Sequence, residues 1–214
     1  MSQTPPHTEE LFAQTARIVS YLEGVRRTAN EITLSAANAK AVAARAGSKA
    51  AGFIPITNFV DEMGRETRHL VERVNRDAQL TVREALAELY LRDSLERMQR
   101  GCAGLEEPGA HLTAISRTMT TDLKAASDRT NRQLVQLREV LSQINDHART
   151  ASMMSTRARV EATVAEEYQH SLESVADTVE AAATRIREVV LRCRSMLDAA
   201  NDERSRRGLA HATN

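Results

Sequence analysis

The sequence predicts an all-α protein built from long, antiparallel coiled-coil helical hairpins that close into a four-helix bundle. Three observations predict it. Alanine, arginine, glutamate and leucine dominate the chain, whereas three Phe, three Tyr and no Trp leave little material for a sheet-based core. Apolar residues recur at alternating steps of four and three over long stretches, which is the 3.5-residue period of supercoiled helices. The central segments, finally, carry almost no proline.

The first seam runs Leu11, Thr15, Ile18, Leu22, Val25, Ala29, Ile32, Ala36, Ala39, Ala43, Ala46, with bulky residues first and small ones near its end. Gly47 then offers a left-handed helix stop, Gly52 a second flexible point, and Pro55 a residue suited to a helix's first turn, where no amide donor is needed. This is the tip of a hairpin, at 47–52. The returning arm carries Phe53, Ile56, Val60, Met63, Leu70, Val74, Ala78, Val82, Leu86 and Leu89, and Gly64 weakens it locally by about 1 kcal/mol. Together these define a hairpin over 8–100.

Gly101-Cys-Ala-Gly-Leu-Glu-Glu-Pro-Gly109 reads as a loop, within a linker at 101–110. Residues 111–206 then contain no Gly or Pro. Their seam is Leu134, Leu137, Leu141, Ile144, Ala148, Ala151, Ser155, Ala158, Ala162, Ala165, followed by Leu172, Val175, Val179, Ala182, Ile186, Val189, Cys193 and Leu197. Displacing the first hairpin by 119 residues lays Ala29 on Ala148, Ala39 on Ala158, Phe53 on Leu172 and Val60 on Val179. Since 119 is a multiple of seven, any two in-phase seams align this way. Two readings of 111–206 follow: a second, degenerate hairpin turning near Glu166–Ser171, or one long helix whose seam a partner or a second copy covers. Residues 1–7 and 207–214 are expected to be disordered ends.

Twenty-nine basic residues balance 29 acidic ones, so total charge gives no field towards nucleic acid or acidic lipid, and no aromatics interleave with basic residues as a nucleic-acid surface requires. The local cluster Arg204-Ser-Arg-Arg207 suits a solvated helix C-terminus. No apolar run approaches the ~20 residues that span a bilayer, and the start carries no signal-peptide pattern. Single cysteines, Cys102 and Cys193, without CxxC spacing suit a reducing compartment, so a cytoplasmic location is expected. His7, His69, His111, His147, His170 and His211 make no i,i+3 or i,i+4 pair with one another or with a cysteine, so neither metal nor cofactor is expected. Nucleophile-elbow, P-loop and dinucleotide patterns are missing as well. The Met153-Met154 pair reads as core filler.

Asn38-Ala39, Ala43-Ala44-Arg45-Ala46-Gly47 and Gly52-Phe53 resemble the signalling tip of methyl-accepting chemotaxis proteins, whose pattern is roughly N-A-x-I-E-A-A-R-A-G-E-x-G-x-G-F. The match covers about 16 residues, with a looser likeness along both arms. The resemblance implies a cytoplasmic receptor-signalling-domain-like protein without sensory or membrane parts. It also implies a protein-interaction tip at Asn38, Val42, Arg45, Gly47, Gly52, Phe53 and Glu161. The partners implied are the chemotaxis coupling protein, the histidine kinase CheA or other chemoreceptors, with a homodimer as the alternative to a single-chain bundle. Val42 stands where the family has a glutamate. Under the 119-residue displacement Glu161 regains that glutamate while Val164 replaces the arginine, so each hairpin keeps half of a charged pair. Ala162–Ser171 superficially fits a methyl-acceptor pattern, but it would sit at the tip and reads better as a polar turn.

Ala165-Glu-Glu-Tyr-Gln169 faintly resembles the helix of the chemotaxis phosphatase CheZ. Its catalytic places hold His170 and Ser174 here, so no enzyme activity is expected. The expected role is that of a binding module, a modulator docking through its tip. The alternative is a coiled-coil scaffold or dimerisation rod that has lost kinase coupling.

Overall fold

The all-α expectation holds in the computed structural model, which describes the backbone of residues 6–102 and 109–212 and the side chains of 13–102 and 109–202. Four long helices, α1 (Pro6–Ala46), α2 (Phe53–Cys102), α3 (Ala110–Ala162) and α4 (Gln169–Ala212), pack against one another. The described residues contain no strand. Short 3₁₀ turns at Gly47–Ala50 and Glu166–Tyr168 precede α2 and α4. Residues 1–5, the loop centre 103–108 with Pro108, and residues 213–214 lie outside the described residues. So do the side chains of Leu11 and of the Arg204–Arg207 cluster.

Each helix packs on the next, and α4 packs back on α1. Lys40 Nζ donates to Asn58 Oδ1 and Arg68 Nη1 to Asn30 Oδ1, both at 3.0 Å, between α1 and α2. Glu84–Arg129 (2.8 Å) and Glu66–His147 (3.4 Å) join α2 to α3. Arg159–Asp177 and Arg138–Asp198, both 2.9 Å, join α3 to α4. Arg185–Glu31 (2.7 Å) and the Arg192 guanidinium, 5.4 Å from the Tyr21 ring centre, join α4 to α1. In every set the number on one helix rises as its partner's falls.

The α1 and α3 seams lie buried residue for residue, from Thr15 to Ala43 and from Leu134 to Ala165, with Ala46 half-buried. Those of α2 and α4 differ from the sequence reading. In α2 the buried positions are Phe53, Thr57, Val60, Gly64, Thr67, Val71, Val74, Ala78 and Thr81, with Ile56 alongside, whereas Met63, Leu70, Val82, Leu86 and Leu89 are only half-buried. In α4 they are Leu172, Ala176, Val179, Ala183, Ile186, Val190, Cys193 and Leu197, with Ala182 alongside and Val175 and Val189 at the flank. Apolarity pointed to an apolar neighbour one position away, but packing keeps the heptad phase, because a one-residue slip rotates a side chain by ~100° around the helix.

Keeping phase puts polar groups inside, and most satisfy themselves. Thr57 and Thr81 donate to the carbonyls of Ile54 and Asp77 at 2.8 Å, and Thr130 to Ala126 at 3.2 Å. Buried Ser155 donates to the Glu180 carboxylate, which also accepts from Ser152 at 2.8 Å, tying α3 to α4. Glu88, inside α2, accepts from Arg92 at 2.9 Å.

Gly64 has a use that its helix propensity hides. A Cβ there would stand 3.0 Å from the Ala29 carbonyl oxygen and 2.5 Å from Thr33 Oγ1, so α1 and α2 approach closely over this glycine. Gly64→Leu is expected to destabilise by about 2–3 kcal/mol in chemical unfolding. Its exposed neighbour variant Arg65→Leu should stay within about 0.5 kcal/mol of the wild type.

The two free thiols differ in surroundings. Cys193 is fully buried in α4, and burial pushes its pKa up to about 12, while half-buried Cys102 lines a groove of about 330 Å³ with Met98, Leu112 and Arg117. Near pH 8 Cys193 therefore has almost no thiolate. Ellman's reagent is expected to titrate one thiol rapidly in the native protein and the second only on denaturation. A C102S variant should lose the fast one.

Candidate functional site: the end formed by the two turns

Both turns lie at one end of the molecule, joined by an ion pair between Lys49 and Glu166. α1 stops at Ala46 because Gly47 takes the left-handed conformation, φ 60°. The second turn, 163–168, uses a non-glycine in the same role: Glu166 has φ 49°. Gly47 and Glu166 are 119 residues apart, the displacement that superimposes the seams. The two left-handed residues thus stand at corresponding places in the two turns. The charge opposite Glu166 comes from Lys49, whose pKa its hydrogen bond to Glu166 raises.

The sequence-derived tip residues separate into surface and core. Asn38 and Arg45 are exposed on α1, and Arg45 Nε reaches only the Ala41 carbonyl of its own helix, at 3.4 Å. No ion pair holds the Arg45 guanidinium among the described residues. Val42 is half-buried and packs on the core. Phe53 is buried and faces a small apolar gap of about 10 Å³ with Ala36, Ile56, Val60, Ala158 and Val179. It plugs the turn and presents no docking surface. Gly52 is exposed, and its φ is not left-handed. Its bareness makes room for Glu161, whose Cδ would stand 2.9 Å from a Cβ built there.

Two surface features at this end escaped the sequence reading. Met154 packs against the core, but Met153 is 67% exposed, so the pair is not core filler throughout. Val160 and Val164 on the same helix are 66% and 62% exposed, and Leu34 on α1 is 64% exposed. The second is charge segregation. Residues 32–60 carry Lys40, Arg45 and Lys49 with no Asp or Glu, whereas 160–184 carry Glu161, Glu166, Glu167, Glu173, Asp177 and Glu180 with no Lys or Arg. Balanced totals concealed this contrast, but reading charge hairpin by hairpin exposes it.

No three His, Cys, Asp or Glu side chains group to hold a metal ion, and no helix is long and apolar enough to cross a membrane, both among the described residues. Comparison with protein-family models, with curated proteins and with solved structures found no match to this chain.

The turn geometry sets a ranking. Gly47→Ala places a Cβ at φ 60° and is expected to cost about 1–2 kcal/mol. Lys49→Ala removes a solvent-exposed pair and is expected to cost clearly less than Gly47→Ala. Thermal unfolding of the two variants checks the order.

Proposed function

We propose that the chain is an antiparallel four-helix bundle of two hairpins that acts as a chemoreceptor-like signalling protein. In this reading its exposed turn end docks on chemotaxis receptors, the coupling protein or the histidine kinase CheA. It is a binding module rather than an enzyme. The opposed numbering of the inter-helix contacts supports the bundle. The coincidence of Gly47 and Glu166 as left-handed residues supports the second hairpin as a counterpart of the first.

One observation carries the functional reading. The receptor-like string Asn38–Phe53 falls on the first turn in a form that suits docking. Asn38 and Arg45 face solvent, Gly47 makes the stop, and Phe53 closes the core beneath them. An exposed guanidinium without an ion pair is a ready partner for a carboxylate on another protein. Packing of Val42 in place of a surface glutamate favours a modulator over a full kinase activator, since the acidic half of the pair is absent from this hairpin.

The same packing of Val42 favours a second reading, a coiled-coil scaffold that has left the signalling array. Direct binding assays with purified coupling protein and CheA separate the two. Docking predicts saturable binding that falls at least tenfold, about 1.4 kcal/mol, in Arg45→Glu. It also predicts altered swimming for that variant at an unchanged melting temperature. The scaffold reading predicts no binding by the wild type, a silent Arg45→Glu, and loss of both stability and phenotype only in core variants such as Leu22→Asp.

A further inference from the structure

The seams of α2 and α3 run on past the point where burial stops. Ala78 and Thr81 on α2, and Ala126 and Thr130 on α3, are fully buried. Towards the end opposite the turns the same seams continue with Met98 and Cys102, and with Leu112, Ser116, Met119 and Leu123, all of them only half-buried. An open groove of about 330 Å³ lies between the two helices there, lined by Met98, Gln99, Cys102, Leu112 and Arg117. It continues the core with two of its four walls missing.

We infer that this end binds a second copy of the chain, the α2–α3 hairpin of one molecule laid antiparallel on that of the other about a twofold axis. The second copy's α2 takes the place beside α2 that α1 holds in the body, and its α3 takes the place that α4 holds beside α3. All neighbouring helices in the joint are then antiparallel, and each four-helix bundle stays intact. Charge selects this occupant. Asp93, Glu96, Arg97 and Arg100 run acid, acid, base, base along α2. Turned end for end about the midpoint between Glu96 and Arg97, Asp93 falls opposite Arg100, Glu96 opposite Arg97, and Leu95 opposite Met98. A parallel contact would set each charge against its like. Within one molecule these groups are only partly used. Arg97 pairs with Asp93, Arg100 Nε donates to the Glu96 carbonyl at 3.4 Å, and no ion pair holds the Glu96 carboxylate among the described residues.

Other charges at this end bear on the contact unequally. Arg92 is held by Glu88 of its own helix at 2.9 Å, His111 is exposed outside the groove, and Asp122 and Lys124 lie past the overlap. Arg117 is the exception. Carrying on the α2–α3 register of Glu84–Arg129 and Glu66–His147 places it level with Glu96, so the twofold axis brings two Arg117 side chains together. That opposition is unfavourable, and it gives the geometry a signature: removing the charge strengthens the dimer. The contact is isologous, so association stops at two copies. It is also weak, because about ten residues of each helix, ~15 Å, bury less than the ~1,200 Å² of a standard interface. It requires no signalling partner and does not rest on the chemotaxis reading.

Sedimentation velocity and X-ray scattering of the full chain in reducing buffer test this. A monomer–dimer equilibrium is expected between about 10 and 500 µM, with no larger species. The longest dimension should rise from about 80 Å, the length of the 53-residue α3, to about 145 Å, since the two rods overlap only at their ends. L112D should stay monomeric with the bundle's thermal unfolding unaltered. E96R and R97E should each dimerise at least threefold more weakly than the wild type. An equimolar mixture of the two should dimerise more than either alone, because the paired bases of one variant then meet the paired acids of the other. R117Q should dimerise more tightly than the wild type. A wild type that remains monomeric at 500 µM overturns the inference, as does a dimer no longer than the monomer. So does a mixture that associates no better than its components, or an R117Q variant that dimerises less than the wild type.

Discussion

Heptad phase governs this molecule more than side-chain size does. Along α2 the inward positions continue at steps of four and three from Phe53 to Thr81, although the places reached include Gly64, Thr67 and Thr81. Larger apolar residues stand one position away at Met63, Leu70 and Val82 and remain half-buried. Following them inward would rotate the helix and break register with both neighbouring helices at once, a cost no single larger side chain offsets. The threonines are tolerated because their hydroxyls return to carbonyls of their own helix, so phase is kept without stranding a buried donor. Gly64 is favoured for a related reason: where phase points a residue at the Ala29 carbonyl and Thr33, a side chain would have to push α1 away.

The same constraint links the two turns. A turn must hand the seam over in phase to the returning helix, and here both do so with one left-handed residue followed by a short 3₁₀ segment. At Gly47 that conformation is free of side-chain conflict. At Glu166 it costs about 1–2 kcal/mol relative to glycine, and the exposed Lys49 pair recovers only part of this. The second turn is therefore held chiefly by the packing around it. Ala162, Ala165 and Leu172, fully buried on either side, fix where the chain must reverse, and the residue at 166 adopts the angle that reversal demands.

Legibility in the sequence followed the same physics. Helical class and the α1 and α3 seams could be read directly, because at Ile18, Leu22, Val25 or Leu134, Leu137, Leu141 the apolar residue and the in-phase residue are the same. The α2 and α4 seams slipped wherever these two criteria diverged, as at Val175 against Ala176. Hydrophobicity alone contains no information about which of two adjacent apolar residues faces inward. At the turn end, Gly47 announced itself through its residue type, while Glu166 did not, since nothing about glutamate signals a positive φ. Phe53 was read as a tip residue from a motif, yet a string cannot say which of its members are turned into the core. The exposure of Met153 was hidden by its neighbour Met154, because the pair straddles the edge of the seam and only Met154 turns towards the core.

Segregated charge alters what electrical neutrality means for this protein. A chain with equal numbers of cations and anions carries no net charge to give it a long-range field. Steering by a dipolar surface is a different matter. With a screening length near ~8 Å at physiological salt, an encounter senses charges only within a helix diameter or so, and at that range the turn end presents separate basic and acidic sides. Within the molecule this polarity is used once, between Lys49 and Glu166, and Arg45 and Glu167 are left facing solvent. Recognition at such an end depends on the relative orientation of the two molecules rather than on total charge. A single reversal such as Arg45→Glu therefore changes which face is offered while scarcely changing the field seen from afar.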